Sequence, residues 1–129
     1  MKSLIVILFV IFCSFSLSAQ LHDVFKGKGD TLEVVYYHKN GKIQSKGKTR
    51  FSIEEGRWKY YNENERLIQE IDFKEGMVHG KLTYYYDNGK KESEGEYKYG
   101  QQDGYYKTWY QNGNLEIEGK YKRGFKDSV

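Results

Sequence analysis

Proline is absent from this 129-residue chain, and cysteine occurs once, at Cys13. A single cysteine cannot form a disulfide within the chain or build a cysteine-based metal site. Glycine is missing before Gly27, although the chain holds 14 glycines in all, so the two parts of the chain follow different rules. The composition also excludes collagen, coiled coils and disulfide scaffolds. A chain of this length can bury one modest core, but it cannot hold separate catalytic and cofactor domains.

The first 19 residues are typical of a cleaved export signal. A basic start, Met1-Lys2-Ser3, precedes an apolar run from Leu4 to Leu17 and then small residues up to Ala19. We predict cleavage between Ala19 and Gln20 and an exported protein, either periplasmic or secreted. A membrane anchor is the alternative, but about 14 apolar residues are few for a ~30 Å hydrocarbon core. A lipid anchor at Cys13 is less consistent, because a bulky phenylalanine precedes that cysteine.

From about Glu33 to Gly124 the sequence repeats every 24 residues without insertion or deletion. Residues at the same repeat position form a file. The files are Asn40, Asn64, Asn88 and Asn112; then Gly41, Glu65, Gly89 and Gly113; then Gly56, Gly80 and Gly104; then Gly76, Gly100 and Gly124; and the aromatic file Tyr37, Tyr61, Tyr85 and Trp109. A short period of this kind indicates stacked supersecondary units that each contact only their neighbours.

Each unit is predicted to contain two strands. Asn-Gly between alternating segments indicates a two-residue type I′ hairpin loop, in which both central residues take positive φ. Glu65 replaces glycine in the second unit, which weakens that turn. The other connection, such as Phe73 to Gly80, is predicted to be a longer turn with glycine at positive φ. Centring the loops on Asn-Gly pairs Glu33 with Lys48, Arg57 with Asp72, Lys59 with Glu70, Lys81 with Glu96, and Lys107 with Glu118.

The predicted fold is all-β: an elongated, single antiparallel meander of consecutive hairpins with around eight strands. The predicted divisions are a signal peptide at 1–19, a leader or N-terminal cap at 20–32, and the repeat domain at 33–129. The sheet must curl over its apolar face or be covered by a partner or a second copy. That face is predicted to hold Trp58, Tyr60, Leu67, Ile71, Phe73, Leu82, Tyr84, Tyr106, Tyr110, Leu115, Ile117 and Tyr121.

The last predicted strand, near residues 114–122, would be an exposed edge. Its alternating charges, Glu116, Glu118, Lys120 and Lys122, are of the kind that oppose edge-to-edge aggregation.

The aromatic file is the candidate binding face. By alternation Tyr37, Tyr61, Tyr85 and Trp109 fall on the charged face, so we expect exposed rings spaced about 9.6 Å apart. Such rings could anchor a protein partner, a glycan or an envelope surface. The alternative is that they pack on the stems of neighbouring lysine and glutamate side chains and only raise β-propensity.

The residues offer no catalytic constellation. The three histidines, His22, His38 and His79, share no repeat position, which argues against a metal site. The file of Glu70, Glu94 and Glu118 has a spacing of about 9.6 Å and reads as surface charge. We therefore predict a non-enzymatic protein with no catalytic residue, cofactor or metal. The net charge of +3, with basic and acidic residues interleaved, does not favour nucleic acid as a partner.

The pattern Tyr97-x-x-Gly100-x-x-x-Gly104, followed by an aromatic pair that begins at Trp109 and by Asn112-Gly113, resembles the MORN repeat. It is more similar still to the bacterial variant found in proteins labelled YwqK-family antitoxins. The resemblance covers roughly residues 34–126, with departures at Ser52, Glu65 and Ser128 that imply degenerate end units. It implies a scaffolding, membrane-associating or partner-binding module, and the antitoxin label implies neutralisation of a toxin by direct binding.

These observations together predict an exported repeat protein that binds a protein partner through its sheet, with toxin neutralisation as one version. A carbohydrate- or envelope-binding module is the alternative, and self-association stays open.

Overall fold

The computed structural model describes residues 22–26 and 30–126, which form one antiparallel sheet of ten strands. The strands are β1 (His22–Lys26), β2 (Thr31–Tyr37), β3 (Ile43–Arg50), β4 (Ile53–Tyr61), β5 (Leu67–Lys74), β6 (Met77–Tyr85), β7 (Lys91–Lys98), β8 (Gln101–Trp109), β9 (Leu115–Lys122) and β10 (Phe125–Lys126). Spatial order follows chain order throughout. The all-β meander of consecutive hairpins is confirmed, with ten strands where about eight were predicted. Within the described ranges no helix is long and apolar enough to cross a membrane.

The ends of the chain are only partly described. The predicted signal peptide at 1–19 lies outside the described residues, as do residues 127–129 at the end of the predicted repeat domain. The predicted leader at 20–32 contributes β1, which pairs antiparallel with β2 and places His22 opposite Tyr36. This part of the leader is therefore a strand of the sheet.

The Asn-Gly turns differ from the prediction in a way that leaves the strand register intact. In the first of them Gly41 donates its N–H to the carbonyl of His38 at 2.9 Å, and His38 donates to the carbonyl of Lys42 at 2.8 Å. The loop therefore has three residues, as in a type I turn closed by a residue at positive φ. Only Gly41 of this loop takes positive φ, at 82°, so the predicted two-residue type I′ loop is wrong.

A one-residue bulge compensates for the extra loop residue. Tyr37 pairs with Ile43, but the preceding Tyr36 pairs with Ser45, so β3 contributes one more residue than β2 at this point. The same shift occurs next to the other three Asn-containing turns. Beyond each bulge the register returns to the predicted one. The predicted facing of all five pairs is therefore confirmed: Glu33–Lys48, Arg57–Asp72, Lys59–Glu70, Lys81–Glu96 and Lys107–Glu118.

The tight two-residue turns lie at the opposite ends of the strands from the Asn-Gly loops. They are Phe51-Ser52, Glu75-Gly76, Tyr99-Gly100 and Arg123-Gly124, and both residues of each take positive φ, as type I′ requires. The predicted longer connection is therefore wrong. The type I′ turns lie where longer turns were predicted, and the longer loops lie where type I′ turns were predicted. The turns are also tied to one another, because Gly76, Gly100 and Gly124 donate their N–H groups to the carbonyls of Glu54, Val78 and Gln102 in the preceding unit.

A second kind of bulge explains another glycine file. At Gly80, where φ is 118°, the Asp72 carboxylate reaches the backbone and accepts the Lys81 N–H at 3.0 Å. A Cβ on Gly80 would lie 2.8 Å from the Cβ of Asp72, so only glycine leaves room for this carboxylate. All nine glycines singled out in the sequence take positive φ: Gly41, Gly56, Gly76, Gly80, Gly89, Gly100, Gly104, Gly113 and Gly124.

Among the residues whose side chains are described, the buried apolar side chains of this single-layer sheet are Val34 and Trp58. Trp58 is 3% exposed and lies over Gly47 of the neighbouring strand. The indole stacks between Tyr36 and Tyr60, with ring centroids 6.2 and 6.4 Å away. Its Nε1 donates to the carbonyl of Lys48 at 2.9 Å, which satisfies the polar end of the buried ring. The sheet thus builds a local core without a second layer in the part of the chain that the structure describes.

The bulges also move three residues out of the predicted apolar face. Residues that lie directly opposite each other across two strands share a face. Leu67 pairs with Tyr61, and Leu115 pairs with Trp109, so both leucines lie on the charged face. Tyr110 begins a turn and is 50% exposed. The predicted apolar positions of these three residues were wrong, because the alternation was carried through a bulge and into a turn.

The end of the sheet also differs from the prediction. The strand β9 is followed by β10, which pairs Phe125 with Lys122 and Lys126 with Tyr121. The final described strand is therefore β10, and it covers only the last two residues of β9. Within the described residues, the outer edge of β9 from 115 to 120 has no strand beside it.

Candidate functional site

The aromatic file lies on the charged face, as predicted, but its rings are half-buried where exposed rings were expected. The bulge beside each Asn-containing turn determines which side chain lies directly opposite each ring. The resulting row of four pairs is Tyr37–Ile43, Tyr61–Leu67, Tyr85–Lys91 and Trp109–Leu115. We call these eight residues the aromatic row. It is aliphatic at three of its four partner positions and basic only at Lys91.

Lysine ammonium groups cover two of these rings. The Nζ of Lys46 lies 5.6 Å from the centroid of Tyr61, and the Nζ of Lys91 lies 5.9 Å from the centroid of Trp109. Both distances are within the range of cation–π attraction. The alternative raised from the sequence, packing against neighbouring lysine stems, thus describes the geometry of these two rings.

Tyr85 is held by a carboxylate instead. Its hydroxyl donates to Oε1 of Glu70 at 3.2 Å. Burial raises the pKa of the Tyr85 phenol, and the negative charge and hydrogen bond of Glu70 raise that pKa further. Tyr85 therefore stays a neutral donor in ordinary conditions and fixes the Glu70 carboxylate beside it.

A charged depression of about 240 Å³ opens next to Tyr85 on the same face. Its lining consists of Arg57, Glu70, Lys81, Thr83, Tyr85, Lys91 and Glu94. Thr83 is only 5% exposed. The depression draws these groups from β4, β5, β6 and β7, which the continuous antiparallel pairing holds in fixed register.

The charges in the depression are paired along diagonals as well as straight across the strands. Lys81 lies opposite Glu96, but its Nζ contacts Oε1 of Glu94 at 3.1 Å, and Lys91 binds the other oxygen of Glu94. Burial alone would raise the pKa of Glu94, but the hydrogen bonds and charges of Lys91 and Lys81 lower it overall. Glu94 therefore stays ionised between two cations.

Arg57 forms a bidentate ion pair on this face. Its Nε and Nη2 donate to the two oxygens of Asp72 at 2.8 and 3.1 Å, which is a bidentate arrangement. Burial favours a higher pKa for Asp72, but the hydrogen bond from Arg57 and that from the Lys81 backbone outweigh it and lower the pKa. Arg57 also lies 3.7 Å from Glu70, which connects this pair to the depression.

A larger, open groove of about 730 Å³ lies at the strand ends that carry the Asn-containing turns and also includes Tyr85. Its other lining residues are Arg66, Leu67, Tyr86, Asp87, Asn88, Gly89 and Gln111. Tyr85 is the residue common to the groove and the depression.

Hydrogen bonds between successive turns build the walls of this groove. Asn88 accepts the Lys90 N–H through Oδ1 at 3.0 Å and donates through Nδ2 to the carbonyl of Gln111 at 2.9 Å. Tyr86 donates its hydroxyl to the carbonyl of Trp109 at 2.7 Å. Asn40 makes the equivalent pair of bonds, and Asn112 accepts the backbone N–H of Asn114. Asn40 and Asn88 thus tie their turns to the next ones through their side chains.

The second unit uses a different bridge. Here Glu65 replaces glycine, with φ at 64°, and Arg66 donates to the carbonyl of Asp87 at 3.0 Å. The sequence pointed to a weak turn at this position but did not predict the arginine bridge. The departure from the repeat at Glu65 and Arg66 was the available signal.

The histidines act locally. His38 Nε2 lies 2.8 Å from the carbonyl of Tyr61, and Nδ1 of His79 accepts the Tyr99 N–H at 3.3 Å. Among the residues whose side chains are described, no three histidine, cysteine or acidic residues form a group that could hold a metal. The side chain of His22 lies outside the described set.

A sheet built by stacking hairpins in chain order, each unit contacting only its neighbours, defines a β-repeat protein. The family model of the MORN repeat variant matches residues 31–49, 54–75, 78–99 and 102–123. The chain belongs to the MORN repeat variant family. MORN repeat proteins are generally non-catalytic binding modules. No curated protein matches this chain significantly.

Proposed function

We propose that this protein is a non-catalytic, exported module that binds a protein partner through the charged face around Tyr85. The observation that carries the proposal is the position of Tyr85, which lines both the charged depression and the edge groove. A half-buried aromatic between two concave surfaces offers a rigid anchor, and aromatic anchors of this kind dominate the binding energy of many protein interfaces.

The charges around Tyr85 favour a protein over a sugar. The depression holds both signs of charge, with Arg57, Lys81 and Lys91 beside Glu70 and Glu94. Such a mixed surface recognises a partner of complementary charge pattern and penalises others. A sugar would stack on an open ring face, but lysine ammonium groups lie over Tyr61 and Trp109.

The test is quantitative capture of partners from cell-envelope extracts by the full chain and its variants. Tyr85→Ala should lower the yield of the specific partner roughly tenfold or more, because it removes the anchor. Tyr84→Ala is the matched control, since Tyr84 is the preceding residue of the same strand and pairs with Gln69 and Ser93 on the opposite face. Equal losses in both variants, or none in either, would reject the proposal.

Carbohydrate binding is the second candidate, because four aromatic rings recur at a fixed repeat spacing on one face. The discriminating measurement is tryptophan fluorescence during titration with cell-wall and storage glycans, since Trp109 belongs to the aromatic row. Saturable changes that vanish in Trp109→Phe would favour the glycan. Flat titrations across the panel favour the protein partner.

Toxin neutralisation is the specific form of protein binding that the resemblance to antitoxin-labelled proteins suggests. The experiment is genetic: the neighbouring reading frame is expressed alone and together with this chain. Growth arrest by the neighbour alone, relieved by the chain but not by Tyr85→Ala, supports neutralisation at this surface. Relief by both versions, or by neither, rejects it.

Export is proposed from the sequence of residues 1–19. Fractionation followed by N-terminal analysis of the mature chain tests it. A mature N-terminus near Gln20 in the exported fraction supports cleavage, and an intact Met1 in the cytoplasm rejects it.

A further inference from the structure

The outer edge of β9 is the longest open strand edge for which the structure describes side chains. From residue 115 to residue 120 no strand lies beside it in the described part of the chain. Ile117 is 53% exposed, whereas Ile71 on the interior strand β5 is half-buried between β4 and β6. An open edge presents unpaired backbone groups that can pair with another strand.

The order of side chains along β9 is self-complementary in the antiparallel direction. The segment reads Ile117-Glu118-Gly119-Lys120-Tyr121, with a carboxylate and an ammonium placed symmetrically about Gly119. If Gly119 faces Gly119 of a second copy, Glu118 faces Lys120, and Ile117 faces Tyr121, and each contact occurs twice. Opposite charges and aromatic–β-branched pairs are favourable cross-strand partners.

We propose that two copies of this chain form a symmetric dimer by antiparallel pairing of their β9 strands about Gly119. Each contact of this dimer joins side chains that lie on the same face of the sheet. Glu118 pairs with Lys107 on the charged face, and Ile117 pairs with Thr108 on the opposite face. In the dimer the two ion pairs therefore continue the charged face of both copies, while Ile117 and Tyr121 continue the apolar face.

The charge order selects a closed dimer. Parallel pairing in register would set Glu118 against Glu118 and Lys120 against Lys120, which is destabilising. Antiparallel pairing about a two-fold axis uses the same edge of both copies and leaves that edge covered, so growth stops at two. The charges read from the sequence as protection against aggregation therefore also specify one permitted geometry.

The short strand β10 occupies part of the same edge. It pairs with Tyr121 and Lys122, and its Phe125 is 79% exposed. Pairing of Tyr121 with Ile117 of a second copy requires β10 to move away. In the described part of the chain two residue pairs hold β10 in place, so we expect it to be a weak competitor of dimerisation.

Disulfide capture tests the register directly. Among the described residues, a Cβ on Gly119 would have only Cε of Lys126 within 4 Å, at 3.9 Å, so we expect Gly119→Cys to be tolerated. Directly opposed antiparallel residues have Cα atoms about 4.5–5.5 Å apart, which permits a disulfide. In a Cys13→Ser background, Gly119→Cys should cross-link into a covalent dimer under mild oxidation. Ile117→Cys is the matched exposed control, because its copies lie roughly 14 Å apart along the strands and should not cross-link.

Charge reversal tests the same register without a covalent bond. In sedimentation experiments on the full chain, Lys120→Glu alone and Glu118→Lys alone should be monomers, because each sets like charges together. A mixture of the two should restore a heterodimer, since each Glu then meets a Lys. Lys98→Glu and Glu92→Lys are controls on β7, both of whose edges are paired, and should leave the dimer unchanged.

A chain that is monomeric at every concentration overturns the proposal. So do cross-linking of Ile117→Cys as efficient as that of Gly119→Cys, failure of the mixture to associate, and growth beyond two copies. Removal of residues 125–129 should shift dimerisation to lower concentration, because β10 no longer competes. Weaker association in that shortened chain would also contradict the model.

Discussion

The indole of Trp58 lies so close over Gly47 that a Cβ on this glycine would be 2.3 Å from the ring. Real Cβ atoms do not make contacts of this length, so only glycine at this position leaves room for the buried indole of Trp58. The two residues lie on neighbouring strands, and the contact joins the first repeat unit to the second. It is the clearest instance of how this single-layer sheet makes a core.

Replacement of Gly47 should destabilise the protein strongly. Gly47→Ala forces the indole of Trp58 to move, and overpacking of this kind typically costs about 1–3 kcal/mol. Urea unfolding followed by tryptophan fluorescence should show a lower midpoint. Gly119→Ala is the control, because its added Cβ meets, among the residues that the structure describes, only Lys126 at 3.9 Å, and it should shift the midpoint little. A similar loss in both variants would contradict this account of the core.

The asparagine bridges between turns should contribute measurably to stability. Asn88→Ala removes the acceptor for the Lys90 N–H and the donor to Gln111, which should cost about 1 kcal/mol. Asn64→Ala should cost less, because in that unit Oδ1 of Asn62 accepts the backbone N–H groups of Asn64 and Arg66. Chemical unfolding of both variants measures the difference. A larger effect at Asn64 would show that the bridges are not what stabilises the turns.

The type I′ turns leave room for stabilisation. Glu75 takes a φ of 52°, a conformation that costs little for asparagine but more for glutamate. Glu75→Asn keeps the backbone N–H that donates to Glu55 and should stabilise the protein by about 0.5 kcal/mol. Glu63→Asn serves as the control, since Glu63 takes no positive φ. Thermal unfolding should show a gain only for Glu75→Asn, and a loss there would refute the strain argument.

Acid should weaken the fold through Asp72 and Glu94. Both carboxyl groups have pKa values in the folded state that lie below their ordinary values. Their contribution is therefore fully present above the ordinary range near pH 4 and is lost as the pH falls through the folded values. Urea unfolding at a series of pH values between about 7 and 2 should show this decline.

Arg57→Gln isolates the contribution of Asp72 to that decline. The variant removes the bidentate partner of Asp72 and should flatten part of the dependence of the unfolding free energy on pH. Lys98→Gln, at an exposed position of β7, should leave the pH profile unchanged. An unaltered profile in Arg57→Gln would show that Asp72 does not carry the effect.

The repeat predicted the fold because it constrains pairing more strongly than it constrains turns. The three-residue loop at Asn40-Gly41 was not foreseen, yet the register of Arg57 with Asp72 was correct, because the bulge restores the pairing that a two-residue loop would give. Alternation alone could not place Leu67 and Leu115, because a bulge separates each leucine from the rest of its strand and changes the face on which the leucine lies. Single-residue irregularities of this kind have no signature in a perfect period.

The candidate site was predictable only in part for a related reason. The sequence placed Tyr85 on the charged face, and the structure agrees. It did not indicate that Lys91 would lie opposite Tyr85, or that Lys81 would contact Glu94 diagonally instead of Glu96. Glu96 is diverted because its carboxylate accepts the Tyr105 N–H beside Gly104 at 2.8 Å. Competition between a backbone donor and a side-chain cation is settled by local geometry, which a pairing scheme does not contain.

The bond from each type I′ turn to the unit before it bears on how such an array can change in length. Gly100 donates to Val78 and Gly124 donates to Gln102 at the same 2.8 Å, so every unit offers its successor the same acceptor. Duplication or loss of one whole 24-residue module would leave each donor with a matching acceptor. Any other change in length would separate a turn N–H from the carbonyl that accepts it. We therefore expect insertions and deletions that preserve this sheet to comprise whole modules.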